Sequence, residues 1–411
     1  MNKLKQIINK TDEPYRIFFP LGILGALIGA GIWIPAWLLQ KQFSFLSPEI
    51  LFFLPRNNYP IQEHILILFN LFLSPIVAGF ALTAIPRFTA TSPMKPAFVG
   101  VLFSLYLSLF VFFFLYSYPI FFYSFSFLFF FSLFYFTAKR YKASGFKFPG
   151  YLQVFLAGLF LGALGALFIL LSLFLKNETF FAGKILIFYG MLPLIIIGIG
   201  TKLIIPVTQG QNPQVRMAWM QRAESIPPTH TLMMIVVFGL SFVFEIVALF
   251  HTDLEWVSIV CRASRLGALV FWFIRYFHIL EFKSFSGRLS VTIYISIWMF
   301  LLGLLGHSFG GRYSAHYAHI YFISGVSLFI MSIMSRVVMS HAGKDLAYEK
   351  SSNIFLIFAS LLIIAAFNRA TAFFLPERTF SHLAYASIIF IVALLIWAFK
   401  IGKNIFEVPK D

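Results

Sequence analysis

Apolar runs of about 20 residues recur from Ile17 to Gly402, separated only by short polar connections. A run of that length matches the hydrocarbon thickness of a bilayer, and in lipid every backbone N–H and C=O must be satisfied within the segment itself. The chain is therefore expected to be an all-α polytopic membrane protein. With 60% of its 411 residues hydrophobic and 11% charged, no stretch is left for a separate soluble domain, so residues 1–411 read as one integral-membrane domain whose partner is the lipid bilayer. The net charge of +16 has no basic patch in a water-soluble element to act through, which argues against nucleic acid and makes the charge a matter of topology. The single cysteine, Cys261, excludes a disulfide framework or a cysteine-based zinc site. The start, MNKLKQIINKTDEPYR, leads into a long apolar span without a short h-region and cleavage site, so it reads as a retained first helix.

Hydropathy places twelve helices at 17–39, 61–85, 97–116, 119–137, 150–175, 183–205, 231–250, 254–275, 289–309, 315–338, 353–375 and 381–401. Only the break at 117–119 divides the third from the fourth. With both termini cytoplasmic, the outer segments hold Lys41, Arg56, Lys176, Lys184, Arg312 and Arg378, and Arg262, Arg265 and Arg369 lie within the membrane. The rest of the 31 Lys and Arg fall inside, the asymmetry expected of a cytoplasmic-membrane protein.

Three helix ends look alike: LTAIPRFT at 82–89, GTKLIIPVT at 200–208 and MSRVVMSHAG at 334–343, closing the second, sixth and tenth helices. A second set, FTAKR from Phe136, WFIR from Trp272 and WAFK from Trp397, closes the fourth, eighth and twelfth. Both sets step by four helices, which suggests three four-helix units at 16–140, 149–286 and 288–404. Aromatic-then-basic ends are also what an interfacial belt produces. In the cytoplasmic loop 206–230, Asn212 and Pro213 start a short amphipathic helix for which a structural role is expected.

The segment SAHYAHIYFISGVSLFIMSIMSRVVMSHAGKD, from Ser314, carries the most chemistry. His316 and His319 are three apart and share a helix face, and Arg336, His341 and Lys344 follow an uncharged run. Interfacial histidines are commonly belt residues, so metal ligation competes with a plain polar role. On this topology His64, His251, His307, His316, His319 and His382 lie at outer helix ends, and His230, His278 and His341 lie inside. Imidazole in an apolar bundle suits haem iron or copper. Charged groups within the bilayer are Glu245, Arg262, Arg265 and Arg369, with Glu245 and Arg369 roughly 9 Å and Arg262 about 12 Å below the outer boundary. An ion pair of Glu245 with Arg262 or Arg265 is the structural reading. One acid cannot neutralise three arginines, and the surplus suits an anionic partner such as haem propionates.

AGFALTAIPRFT from Ala78, GTKLIIPVTQ from Gly200 and above all HIYFISGVSLFIMSIMSRVVMSHAGK from His319 resemble the NnrS family, bacterial membrane proteins described as carrying haem and copper and linked to the nitric oxide response. His319, Arg336, His341, Gly343, Lys202 and Pro206 fall on the family pattern. His64 matches the first histidine of the family's His-x-His-Glu, but Leu66 and Ile67 stand where the second histidine and the glutamate would be, which removes two ligands of a copper site. The helix count also looks like the catalytic subunit of haem-copper oxidases, in which the second and tenth helices hold a haem. The resemblance thus implies haem b ligated by His64 and His319, His316 as a substitute ligand, His341 as a further metal-binding residue, and Arg262, Arg265 or Arg369 at the propionates. Denitrification or nitrosative-stress defence is the implied setting, with turnover, protection and sensing of nitric oxide all left open. A twelve-helix secondary transporter is the competing class, and an assembly factor without a cofactor is a third.

Overall fold

A computed structural model describes residues 13–41, 60–115, 119–143, 148–208, 213–282, 285–345 and 347–407, and among these every regular element is helical. Among the described residues, twelve helices are long and apolar enough to cross a membrane. They are α1 Tyr15–Gln40, α2 Ile61–Phe88, α3 Pro96–Leu115, α4 Pro119–Ala143, α5 Gly150–Leu171, α6 Asn177–Ile205, α7 Pro228–Leu249, α8 Glu255–Phe277, α9 Arg288–Phe309, α10 Gly311–His341, α11 Ile354–Phe374 and α12 Pro376–Lys400. The count matches the hydropathy reading, and α3 and α4 are separate helices. Helix α6 starts six residues earlier than hydropathy indicates, because Asn177 and Glu178 form its polar first turn. Lys3, Lys5, Lys10, Arg56, Lys147, Asn212, Lys283 and Lys410 lie outside the described residues.

The helices have local causes. Helix α1 breaks at Ile32 and resumes over Trp33–Gln40, with Pro35 in the new first turn, where its missing N–H has no intrahelical partner to lose. Three helices contain a wide π turn: Leu68–Leu73 in α2, Leu186–Met191 in α6 and Ile320–Ser327 in α10. In α2 and α6 a proline, Pro75 or Pro193, follows two residues beyond the turn. Its ring would strike the carbonyl four residues back, and widening the preceding turn relieves that clash. Helix α10 has no proline there. Its π turn instead lies against α9, where a Cβ on Gly303 would come within 2.1 Å of the Tyr321 nitrogen. Glycine permits this backbone contact, the usual way helices approach closely in lipid.

Contacts divide the chain into two compact units. One comprises Met1–Phe18 with Ser74–Ser284, and the other Phe19–Leu73 with Phe285–Asp411. In the first, the indole of Trp272 donates to Thr201 Oγ1 at 3.0 Å, and Lys202 reaches Glu224 of the loop helix Pro213–Glu224 at 2.8 Å. In the second, the indole of Trp397 donates to Ser335 Oγ at 2.7 Å, and Arg336 pairs with Glu349 at 2.7 Å. Each unit therefore uses a hydroxyl followed by a base at a helix end, the hydroxyl taking a tryptophan N–H from two helices on and the base taking a carboxylate from the next loop. Gly343 closes α10 with φ +64, and the Lys344 N–H returns to the Met339 carbonyl. This left-handed cap explains a glycine after the helix.

Candidate cofactor site

The unit containing the starts of α2 and α10 gathers five of the nine histidines at helix ends of one kind: His64, His307, His316, His319 and His382. What each ring nitrogen meets decides what it can do. His64, one turn into α2, has Nδ1 2.7 Å from the Gly29 carbonyl oxygen. A carbonyl only accepts, so Nδ1 carries the proton and Nε2 keeps its lone pair. The Trp33 indole N–H also points at the same Nδ1, from 3.1 Å, with its ring edge-on against the imidazole; the Gly29 contact is the shorter of the two and is the one that sets the tautomer. His319 repeats the pattern, with Nδ1 2.7 Å from the Ala315 carbonyl one turn back. Both rings are half-buried, and neither Nε2 has a hydrogen-bond partner among the described residues.

His316 is the opposite case. Its Nδ1 lies 3.0 Å from Arg369 Nη1, and a guanidinium only donates. Nδ1 must therefore accept, which places the proton on Nε2. This ring is turned towards Arg369 and Phe373 and offers no Nε2 lone pair. The Arg369 charge acts on His64, His316 and His319, and His319 also feels the other two histidines, so these four groups form one electrostatic cluster. His382 donates from Nδ1 to Asn368 Oδ1 at 2.7 Å, tying α12 to α11, and His307 bonds Ser314 at the turn between α9 and α10. His341 lies 22 residues beyond His319 on the same helix, about 33 Å along its axis, and does not join them.

Arg262 and Arg265 belong to the other unit. Both bind Glu245: Arg262 Nε reaches one carboxylate oxygen at 2.8 Å, and Arg265 Nη2 bonds the other while its Nη1 reaches Ser241 Oγ at 3.1 Å. Where sequence offered either arginine as the partner, the structure uses both. The arginine that shares a cluster with the histidines is Arg369.

The donor set fits haem. Haem needs few protein donors, and His64 and His319, each with a free Nε2, would be the residues to hold it. Each ring is fixed by an Nδ1–H bond to a carbonyl, the outer support usual for ligating histidines. Arg369 is the cation beside them that a propionate would take. A bare metal ion is a different matter: Leu66 and Ile67 are buried apolar residues, and among the described residues no three His, Cys, Asp or Glu come together around one point. The Gly29 and Ala315 carbonyls were invisible to sequence reasoning, since backbone acceptors have no residue signature. The Asn368–His382 pairing had none either.

The fold and this cluster define a twelve-helix integral-membrane protein with paired imidazoles beside a buried arginine. The chain belongs to the NnrS family: the family model described as NnrS protein matches residues 11–407. No curated protein matches it.

Proposed function

We propose that this protein binds haem b through His64 and His319, with Arg369 at a propionate, and serves the nitric oxide response in the cytoplasmic membrane of a bacterium with both termini inside. The observation that carries the reading is the shared placement of His64 and His319, each with Nδ1 2.7 Å from a backbone carbonyl, an acceptor that assigns the proton to Nδ1 and leaves Nε2 free. Family membership supports the nitric oxide setting, since the NnrS family is the one described as linked to that response. A transporter has less support, because transporter sites favour the bilayer midplane whereas these histidines stand at helix ends.

Haem held by these imidazoles would supply one-electron chemistry and affinity for a diatomic gas. The chain's own groups hold two rings at fixed orientation and set a positive charge beside them. With both His64 and His319 as donors, the chemistry the group would supply there is electron transfer.

The test is the optical spectrum of the detergent-purified protein expressed with haem supply. A Soret band is expected in the wild type and its loss in both His64→Ala and His319→Ala. A wild type without a Soret band, or variants that keep it in full, would overturn the reading.

A further inference from the structure

The two-to-one cluster of Arg262, Arg265 and Glu245 leaves a charge unanswered. Glu245 is 1% exposed and has both oxygens taken. Arg265, 5% exposed, has both terminal amino groups bonded, with Glu245 on one, Ser241 on the other and the Phe242 ring 4.2 Å beneath its guanidinium. Arg262 is different. Only its Nε is bonded, to Glu245, and its two terminal amino groups have no acceptor among the described residues. The Arg262 side chain is 23% exposed, so it opens to the outside of the protein. Arg265 neutralises Glu245, so the Arg262 charge and four N–H donors need an anion.

The surroundings say what kind. Arg262 lies seven residues into α8, about 10 Å from the helix start, and its side chain leans back towards that end. Trp256, Val260 and Val247 are 63%, 53% and 48% exposed on α8 and α7, a surface that acyl chains cover. A free hydrated phosphate has no reason to settle there, whereas a phospholipid brings the phosphate and the tails together. Glu255, also seven residues away, lies on the same face of α8 two turns nearer water. Asp253 sits in the turn before it. Both carboxylates are exposed, and neither has a partner among the described residues. A base below and acids above, spaced about 10 Å along the axis, match a phosphate and an ammonium joined by a two-carbon link with a hydrogen bond at each end. A purely anionic headgroup would meet the two carboxylates with like charge.

We infer that this end of α7 and α8 binds one zwitterionic aminophospholipid, its phosphate on Arg262 and its ammonium on Glu255 and Asp253. The inference is independent of haem binding. The test is native mass spectrometry of the full chain exchanged from detergent into equal phosphatidylethanolamine and phosphatidylglycerol. The wild type should retain phosphatidylethanolamine preferentially. Arg262→Ala should lose retained lipid several-fold while Arg265 still holds Glu245. Glu255→Gln, at an exposed position that does not threaten folding, should reduce the preference for phosphatidylethanolamine over phosphatidylglycerol. Equal retention of both lipids by the wild type, retention unchanged in Arg262→Ala, or a preference unchanged in Glu255→Gln with Asp253→Asn would overturn it. So would millimolar inorganic phosphate displacing the lipid, which would make the site one for free oxyanions.

Discussion

The carbonyl oxygen of Gly29 lies 2.7 Å from Nδ1 of His64, and this contact decides which nitrogen of the ring is free. It also separates two neighbours that look similar. Trp33 reaches the same Nδ1 from farther away than the Gly29 carbonyl does, so Trp33→Phe, which keeps the ring packing, should leave haem affinity within about 2-fold. Gly29→Ala is expected to do more, because its Cβ would meet Leu68 Cδ2 at 2.7 Å and Ile67 Cγ2 at 3.0 Å and push the carbonyl off line. Loss of such outer support lowers affinity by roughly 10-fold or more. Haem titration followed by difference spectra measures both, and equal affinities for the two variants would remove the Gly29 carbonyl from the site.

His316 and His319 share a helix face but carry opposite tautomers, so they are not interchangeable. His316→Ala should retain haem, with at most a modest loss through freed motion of Arg369. His319→Ala should lose it, because Arg369 holds the lone pair of His316 on Nδ1. Pyridine haemochrome content of the two purified variants is the measurement. Retention in His319→Ala would mean that His316 exchanges its arginine for iron.

Much of this architecture is legible in sequence because lipid leaves few choices. Twelve apolar runs gave twelve helices, and the look-alike ends at Thr201–Lys202 and Ser335–Arg336 turned out to share bonding partners as well as residue types. The reason Phe136 differs from Trp272 and Trp397 is equally chemical: it has no N–H to give, and Thr83 instead accepts from the Tyr15 backbone. Tautomers were not legible, since they depend on carbonyls brought from other turns and other helices. Nor were the π turns, whose one clue is a proline two residues beyond, present in α2 and α6 and missing in α10.

Glu245 holds two guanidiniums, so its removal should be felt twice. Glu245→Gln keeps the shape but leaves a 5% exposed Arg265 and a part-exposed Arg262 without a counter-charge. Breaking a buried ionic cluster on one side costs about 3–5 kcal/mol. Arg262→Gln should cost less, because the closer pair with Arg265 survives. Detergent unfolding curves monitored by circular dichroism will rank the two, and the reverse order would show that Arg262 is the principal partner of Glu245.

The loop helix Pro213–Glu224 is docked by an imidazole whose charge matters. His278 follows α8 in a left-handed conformation, φ 53, and its ring stacks on Trp219 with centroids 3.9 Å apart. Its Nδ1 faces Glu281 at 2.9 Å and its Nε2 faces Arg222 at 3.4 Å. Burial pushes the imidazole below its usual value of 6.5; Glu281 opposes the shift, and Arg222 and Arg275 add to it. A histidine with a depressed value in the docked state stabilises docking above 6.5, and that stability is lost as pH falls through the depressed value. Amide protection factors over residues 213–224, the intrinsic exchange rate at each pH divided by the observed rate, should therefore be high at neutral pH and fall on acidification below 6.5. His278→Asn tolerates the left-handed backbone and cannot titrate, so its protection factors should be lower than wild type at neutral pH and flat across the same range. A wild-type profile as flat as that of the asparagine variant would show that the ring stacks on Trp219 regardless of charge.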